Sequence, residues 1–164
     1  MVMVGVAAPK FDCRAVVRGV LRRLRWQQMH ENKTLLFLFE SHLSTTEEVA
    51  ELLALNQATV RMRPLWAKVA VVCRAPSSEL RPWLQEPDAY EQPEPLAFPL
   101  IVEADGSLAW LYDLVDADGR TLWGRFLIDH TGIVRQKAVS CFPVATNVED
   151  LVRNIQSVAQ VRRG

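Results

Sequence analysis

Hydrophobic and polar residues follow one another along this 164-residue chain in blocks that predict an α/β protein. Residues 34–39 read Thr-Leu-Leu-Phe-Leu-Phe, a stretch too short for a buried helix, and predict a strand covered on both faces. Residues 67–73 form a second apolar, β-branched run of the same kind. Residues 98–102 form a third, shorter run, in which Pro99 predicts a start near an edge of the sheet. These runs indicate buried strands, at least two of them parallel.

Helical signals separate these strands. Ser44-Thr45-Thr46-Glu47 fits the S-x-x-E capping box, in which hydroxyl and carboxylate satisfy free N–H groups of a first helical turn. The apolar residues of 49–53 then predict one buried helix face. Further helices are predicted for residues 76–84 and 107–114 and after Asn147, which serves as a cap. Residues 86–95 are rich in proline and acid, which predicts an exposed loop.

Two hairpins complete the pattern. Residues 11–26 turn at Gly19, and residues 125–128 and 133–140 flank the turn His130-Thr131-Gly132. A mixed α/β layer that ends in an antiparallel hairpin predicts a thioredoxin-like, three-layer fold with helices on both faces of the sheet. The length predicts a single domain, residues 1–164.

The turn between the first central strand and its helix is the predicted place for chemistry. In open α/β sheets, ligands bind beyond the carboxyl ends of strands, where a helix N-terminus presents free N–H groups and partial positive charge. In this chain that turn runs from Glu40 to Thr46. The residues of this turn therefore indicate whether the protein is an enzyme or a binding protein.

Composition and cysteines narrow the class of protein. No apolar run approaches the length of a membrane span, and the N-terminus lacks a signal-type apolar core. Cys13, Cys73 and Cys141 are an odd set with no C-x-x-C spacing, which argues against a disulfide framework and a zinc site. We therefore expect a cytoplasmic protein with no metal and no cofactor.

The zero net charge conceals an uneven distribution. Residues 1–33 are mostly basic, whereas residues 84–118 hold nine acids and no lysine or arginine. Two solvated faces explain this pattern, and so does a charged docking surface for a protein partner that includes Glu91 and Glu94. The basic segment is short and the chain as a whole is not basic, which argues against nucleic-acid binding.

The C-terminal hairpin has a specific sequence. Residues 124–136, Gly-Arg-Phe-Leu-Ile-Asp-His-Thr-Gly-Ile-Val-Arg-Gln, resemble the G-L-F-I-I-D-x-x-G-x-x-R-Q hairpin of AhpC/TSA-type peroxiredoxins. Residues 4–11 resemble the opening V-G-x-x-A-P-x-F of that family, and residues 98–100 its I-P-L. The resemblance extends in order to about residue 160 and implies the peroxiredoxin form of the thioredoxin-like fold.

The same resemblance identifies what is missing. Peroxiredoxins carry P-x-x-x-T-x-x-C on the strand-to-helix turn, where the helix N-terminus and an arginine lower the pKa of the thiol. Here Glu40 stands at the proline position, and Ser44, with Thr45 and Thr46 after it, stands about where cysteine is expected. The expected arginine is Trp123, which would fill the space over the peroxide pocket, although Arg125 is close in sequence.

These residues predict a peroxiredoxin-like protein without peroxidase activity that acts as a binding or structural subunit. A hydroxyl cannot replace the thiolate, because oxygen cannot pass through the sulfenic acid stage. The alternatives are a divergent thiol oxidoreductase that uses Cys141 or Cys13 and, from the resemblance alone, a holdase-type chaperone. The resemblance also implies a homodimer through the last strand. One face of that strand is predicted to carry Ile133, Arg135, Lys137 and Val139.

Overall fold

A seven-stranded mixed sheet forms the centre of the protein, with strand order β2-β1-β5-β4-β3-β6-β7. The computed structural model describes residues 2–40, 46–73, 95–103, 105–141 and 147–161. The elements in chain order are β1 (Asp12–Val17), β2 (Val20–Arg25), α1 (Trp26–His30), β3 (Thr34–Glu40), α2 (Thr46–Met62), β4 (Ala67–Cys73), β5 (Leu100–Val102), α3 (Ser107–Leu111), β6 (Trp123–Ile128), β7 (Val134–Ser140) and α4 (Val148–Val161). A single 3₁₀ turn, Arg63–Leu65, connects α2 to β4.

The parallel part of the sheet lies in its middle. β3, β4 and β5 run parallel, while β1 pairs with β5 and β6 pairs with β3 in the antiparallel sense. Both predicted hairpins are present, as β1–β2 and β6–β7. The edge position predicted from Pro99 is wrong. β5 lies between β1 and β4, and Pro99 precedes it, where its missing N–H costs no ladder bond and its carbonyl accepts from Val71 N at 3.1 Å.

Two apolar layers cover the sheet. One face packs against α2 and α4, whose Leu52, Leu55, Leu151 and Ile155 meet alternate residues of β3 and β4. The opposite face packs against α1 and α3 and holds an aromatic cluster of Phe11, Phe37, Phe39, Tyr112 and Phe126, whose successive rings lie 4.8–5.9 Å apart. Helices therefore lie on both faces, as the sequence predicts.

The helices differ from prediction in their limits. α1 was not predicted, because Trp26 was assigned to the first hairpin; in the structure Trp26 and Met29 are buried against the sheet. α2 continues to Met62, beyond the apolar residues of 49–53 that predict it, because Ala58 and Met62 still pack on the core. α3 ends at Leu111, three residues early. Asn147 caps α4 as predicted, its Oδ1 accepting from Asp150 N at 3.2 Å. The predicted helix 76–84 and loop 86–95 lie outside the described residues.

Candidate functional site

The carboxyl end of β3 is one wall of the candidate site. β3 ends at Glu40 and α2 begins at Thr46, while Ser44 and Thr45 lie outside the described residues. Glu40 pairs in the ladder with Cys73, the last residue of β4. The fold therefore places Cys73 at the same end of the sheet as the predicted site. No local pattern predicts this placement, since it depends on the pairing of two strands that are distant in sequence.

The start of β6 forms the second wall. Arg125 pairs with Leu38, and Gly124 pairs with Phe39. Because side chains alternate across a strand, Trp123 and Arg125 share the face of Leu127, which is the face that α2 and α4 cover. Trp123 is half-buried. The structure thus brings Trp123 and Arg125 to one face beside the end of β3.

Gly124 allows a close approach on the other face of β6. A Cβ atom at this position would lie 2.6 Å from Leu114 Cδ1 and 2.8 Å from Leu114 Cδ2. Leu114 is fully buried and belongs to the aromatic layer, so it cannot withdraw cheaply. The glycine is therefore required by packing beneath the site.

Arg125 also lines a cavity beside this wall. The cavity has a volume of about 360 Å³ and lies between the sheet and α4. Leu36, Leu127 and Leu151 form its apolar part, and Gln136 and Asn154 add amide groups beside the guanidinium of Arg125. This space is large enough for a small molecule, and no pattern in the sequence predicts it.

The three cysteines have different environments. Cys13 is partly buried, and its Sγ donates to Leu24 O at 3.8 Å. Burial, and then the charge of Asp12, raises the pKa of Cys13 to about 11, so this thiol is protonated at neutral pH. Cys73 is fully buried, whereas Cys141 is exposed just beyond the end of β7. Cys141 is therefore the accessible thiol among the three.

The candidate interface strand β7 is less regular than predicted. A β-bulge shifts the register, so that Leu127 pairs with Gln136 while Ile128 pairs with Val134, and Arg135 is the extra residue. The predicted alternation is therefore wrong for Val134. Val134 is buried on the aromatic face, which is also the face of Lys137 and Val139, because an extra residue reverses the alternation.

The charged residues of β7 are bound within the chain. Arg135 Nε donates to Asp129 Oδ2 at 2.7 Å, and Lys137 Nζ donates to Val2 O at 2.8 Å. The N-terminal segment covers the outer edge at the start of β7 through Gly5 N to Val134 O, at 2.8 Å, and an antiparallel bridge to Ile133. In the described part of the chain, no strand pairs with the outer edge of β7 beyond that point.

The described acids are used locally. Buried Glu103 accepts from Ser107 Oγ and Leu108 N at the start of α3. Asp113 Oδ2 accepts from Val2 N at 2.6 Å, and Asp116 Oδ1 accepts from two turn amides. These carboxylates explain part of the acidic run as caps and turns rather than as a docking surface. Glu91 and Glu94 lie outside the described residues.

The described residues contain neither a helix long and apolar enough to span a membrane nor a group of three or more potential metal ligands.

Comparison with known proteins identifies the class of fold. Enterococcus faecalis AhpC matches with a TM-score of 0.82 over 99% of this chain and 96% of that chain, at 20% identity. The yeast mitochondrial 1-Cys peroxiredoxin also matches with a TM-score of 0.82, over 99% of this chain and 79% of that chain, at 17% identity. The fold is thus the thioredoxin-like fold in its peroxiredoxin form, as predicted.

Sequence comparison then identifies the family. Residues 4–137 match the AhpC/TSA family. Mouse (Mus musculus) Peroxiredoxin-2 is 26% identical over 155 residues, 94% of this chain and 78% of that protein. Peroxiredoxin TSA1 of Saccharomyces cerevisiae is 26% identical over 151 residues, 92% of this chain and 76% of that protein. The chain belongs to the AhpC/TSA family.

Proposed function

We propose that this protein is a peroxiredoxin-family member that has lost the peroxidatic cysteine and acts as a binding or structural subunit in a protein assembly. The observation that carries the proposal is the position of its cysteines, because none of Cys13, Cys73 and Cys141 lies in the turn between β3 and α2. Peroxide reduction needs a thiolate that can pass through the sulfenic acid stage, and serine or threonine cannot supply one.

The surroundings of the turn support this proposal. In the resembled hairpin an arginine precedes Gly124, and here that residue is Trp123. Arg125 shares the face of Trp123 but lies two residues further along β6, opposite Leu38 rather than the end of β3. Among the described residues of β6, no arginine therefore stands at the position where the family carries the one that stabilises the thiolate.

The test is peroxide consumption with thioredoxin or a dithiol as reductant. We expect wild-type protein to consume peroxide no faster than a control with blocked cysteines. We expect Ser44→Cys to remain inactive as well, because Trp123 stands where the family has an arginine. A misplacement of about 1 Å can cost on the order of a hundredfold in rate. The double variant Ser44→Cys with Trp123→Arg tests whether an arginine at this position is sufficient to give the introduced thiol peroxidase activity.

A thiol oxidoreductase is the second candidate, and the exposure of Cys141 favours it. Wild-type turnover that disappears in Cys141→Ser would replace the first proposal with this one. Cys13→Ser is the matched control, because the raised pKa of Cys13 opposes formation of its thiolate.

Assembly through β7 is part of the first proposal. The outer edge beyond Val134 can pair with a second copy of β7 across a two-fold axis. Val139→Asp should weaken such a dimer, since Val139 is exposed on this strand. Val20→Asp, on the opposite edge strand β2, is the matched control. A monomer at tens of micromolar in light scattering would refute the dimer.

A further inference from the structure

A large cleft lies at the amino ends of the parallel strands, at the opposite end of the sheet from the candidate site. It has a volume of about 690 Å³, and its lining includes Lys33, Ala67 and Pro99, which lie at or just before the starts of β3, β4 and β5. β3 is seven residues long, so at about 3.3 Å per residue the two ends are about 20 Å apart. The volume suits a small-molecule ligand, for which sites of about 300–1,000 Å³ are usual.

The charged side chains of this cleft are mostly cationic. Its described lining holds five basic residues and one acidic residue: Arg18, Arg22, Lys33, Arg63, Lys68 and Glu31. The protein has no net charge, so this concentration is local. The basic residues come from the β1–β2 turn, β2, the segment before β3, the 3₁₀ turn and β4, and only the fold brings them together.

The two lysines share one carboxylate, and the arginines have none among the residues that the structure describes. Lys33 Nζ and Lys68 Nζ lie 3.2 and 3.3 Å from Glu31 Oε2. Within the described ranges, none of the three arginines makes an ion pair. Burial lowers the pKa of Lys68, and the charge of Lys33 lowers it further, while Glu31 only partly offsets both. The cleft therefore has three guanidinium groups available to an anion.

An aromatic side chain lies among these charges. Trp66 is 59% exposed although it is large and apolar, and Lys33 Nζ lies 5.7 Å from the centroid of its ring. Trp66 and Arg18 both have left-handed backbone angles, with φ of 54° and 51°. Such conformations are uncommon outside glycine, and here they belong to the end of the 3₁₀ turn and to the β1–β2 turn.

We propose that this cleft binds a small polyphosphate ligand, the chemistry shared by nucleoside triphosphates and inorganic polyphosphate. Arginine forks bind phosphate oxygens in pairs, and three of them can contact successive phosphates. The formal charge of the lining, five cations against one carboxylate, approaches the charge of about −4 on a nucleoside triphosphate. Trp66 supplies a surface on which a nucleobase can stack.

The experiment is calorimetric titration of wild-type protein with tripolyphosphate, ATP and adenosine at about 50 mM salt, where charge screening is modest. We expect tripolyphosphate and ATP to bind and adenosine to bind far more weakly. Arg22→Gln should lower the affinity about tenfold, as expected for one charged hydrogen-bonding group. Arg23→Gln is the matched control, because Arg23 is next to Arg22 in sequence but pairs with Asp12 outside the cleft. This variant should change the affinity less than about twofold.

The outcomes separate the ligand sources. Tighter binding of ATP than of tripolyphosphate, with the difference lost in Trp66→Ala, assigns the cleft to nucleotides. Equal affinities that Trp66→Ala leaves unchanged assign it to inorganic polyphosphate. The proposal is overturned if neither compound binds below about 1 mM, or if Arg22→Gln and Arg23→Gln weaken binding equally. None of these results depends on peroxidase activity or on the turn before α2.

Discussion

The two hairpins at opposite ends of the strand order have the same pairing but very different surroundings. In β1–β2 the turn residues Arg18 and Gly19 both have positive φ, and most side chains of β2 are exposed. In β6–β7 the strands carry buried residues of both apolar layers, and the turn is bound to the rest of the chain. The same secondary structure therefore serves as a charged rim of a cleft at one edge and as part of the core at the other.

The turn of the second hairpin shows how that difference arises. Asp129 is 6% exposed and accepts hydrogen bonds from Thr131 N, Thr131 Oγ1 and Ile133 N, and from Arg135 Nε. Its carbonyl oxygen lies 2.7 Å from Nε2 of His30, which stacks on Trp26. The carboxylate of Asp129 thus organises the turn, and the backbone carbonyl of the same residue connects the turn to α1.

The largest difference between the hairpins should appear on truncating an apolar side chain in each. Phe126→Ala removes a fully buried ring from the aromatic layer and should lower the free energy of unfolding by about 4 kcal/mol. Leu21→Ala, in exposed β2, should change it by about 0.5 kcal/mol or less. Urea unfolding measures both, and equal losses would show that the two hairpins contribute alike to the core.

Removal of the turn carboxylate should have the next largest effect. Asp129→Ala leaves the donors of Thr131, Ile133 and Arg135 without their acceptor and should cost about 3 kcal/mol. Asp116→Ala is the control, because Asp116 accepts two amides in an exposed turn and should cost about 1 kcal/mol. Similar losses for both would contradict the special role of the buried turn.

Acid should weaken the second hairpin before the first. Burial alone would raise the pKa of Asp129, but the hydrogen bonds from Thr131, Ile133 and Arg135 lower it to about 2. The unfolded chain binds this proton with a pKa of about 3.9, so the contribution is fully present above that pH and is lost as pH falls to about 2. This contribution amounts to roughly 2–3 kcal/mol. Asp129→Asn should flatten this part of the stability profile, and an unchanged profile would refute the assignment.

The smallest effect is expected for the ion pair of the first hairpin. Arg23 Nη2 lies 3.0 Å from Asp12 Oδ2, and their side chains are 75% and 47% exposed. Such pairs contribute about 0.5 kcal/mol, and salt screens them. Arg23→Ala should therefore shift the unfolding midpoint slightly at low salt and not at 1 M salt. A loss above about 1 kcal/mol in the free energy of unfolding would show that side chains of β1–β2 contribute to stability as much as those of β6–β7.

Local patterns were sufficient for much of the fold. The apolar run of β3, the sequence of residues 124–136 and the cap Asn147 each predict the element found, because strand burial, turn formation and capping depend on neighbouring residues. The absence of cysteine between β3 and α2 is also a property of the sequence alone. These features determine the class of protein, and the cysteine positions are the basis of the proposed loss of peroxidase activity.

Only the tertiary structure decided the rest. The bulge at Arg135 turns Val134 onto the aromatic face, and the position of β5 inside the sheet depends on pairing with β1 and β4. The pairing of Cys73 with Glu40 and the gathering of arginines around Trp66 join residues far apart in the chain. Long-range pairing and packing set these contacts, and no local propensity or spacing encodes them, because the partners meet only when the whole sheet has formed.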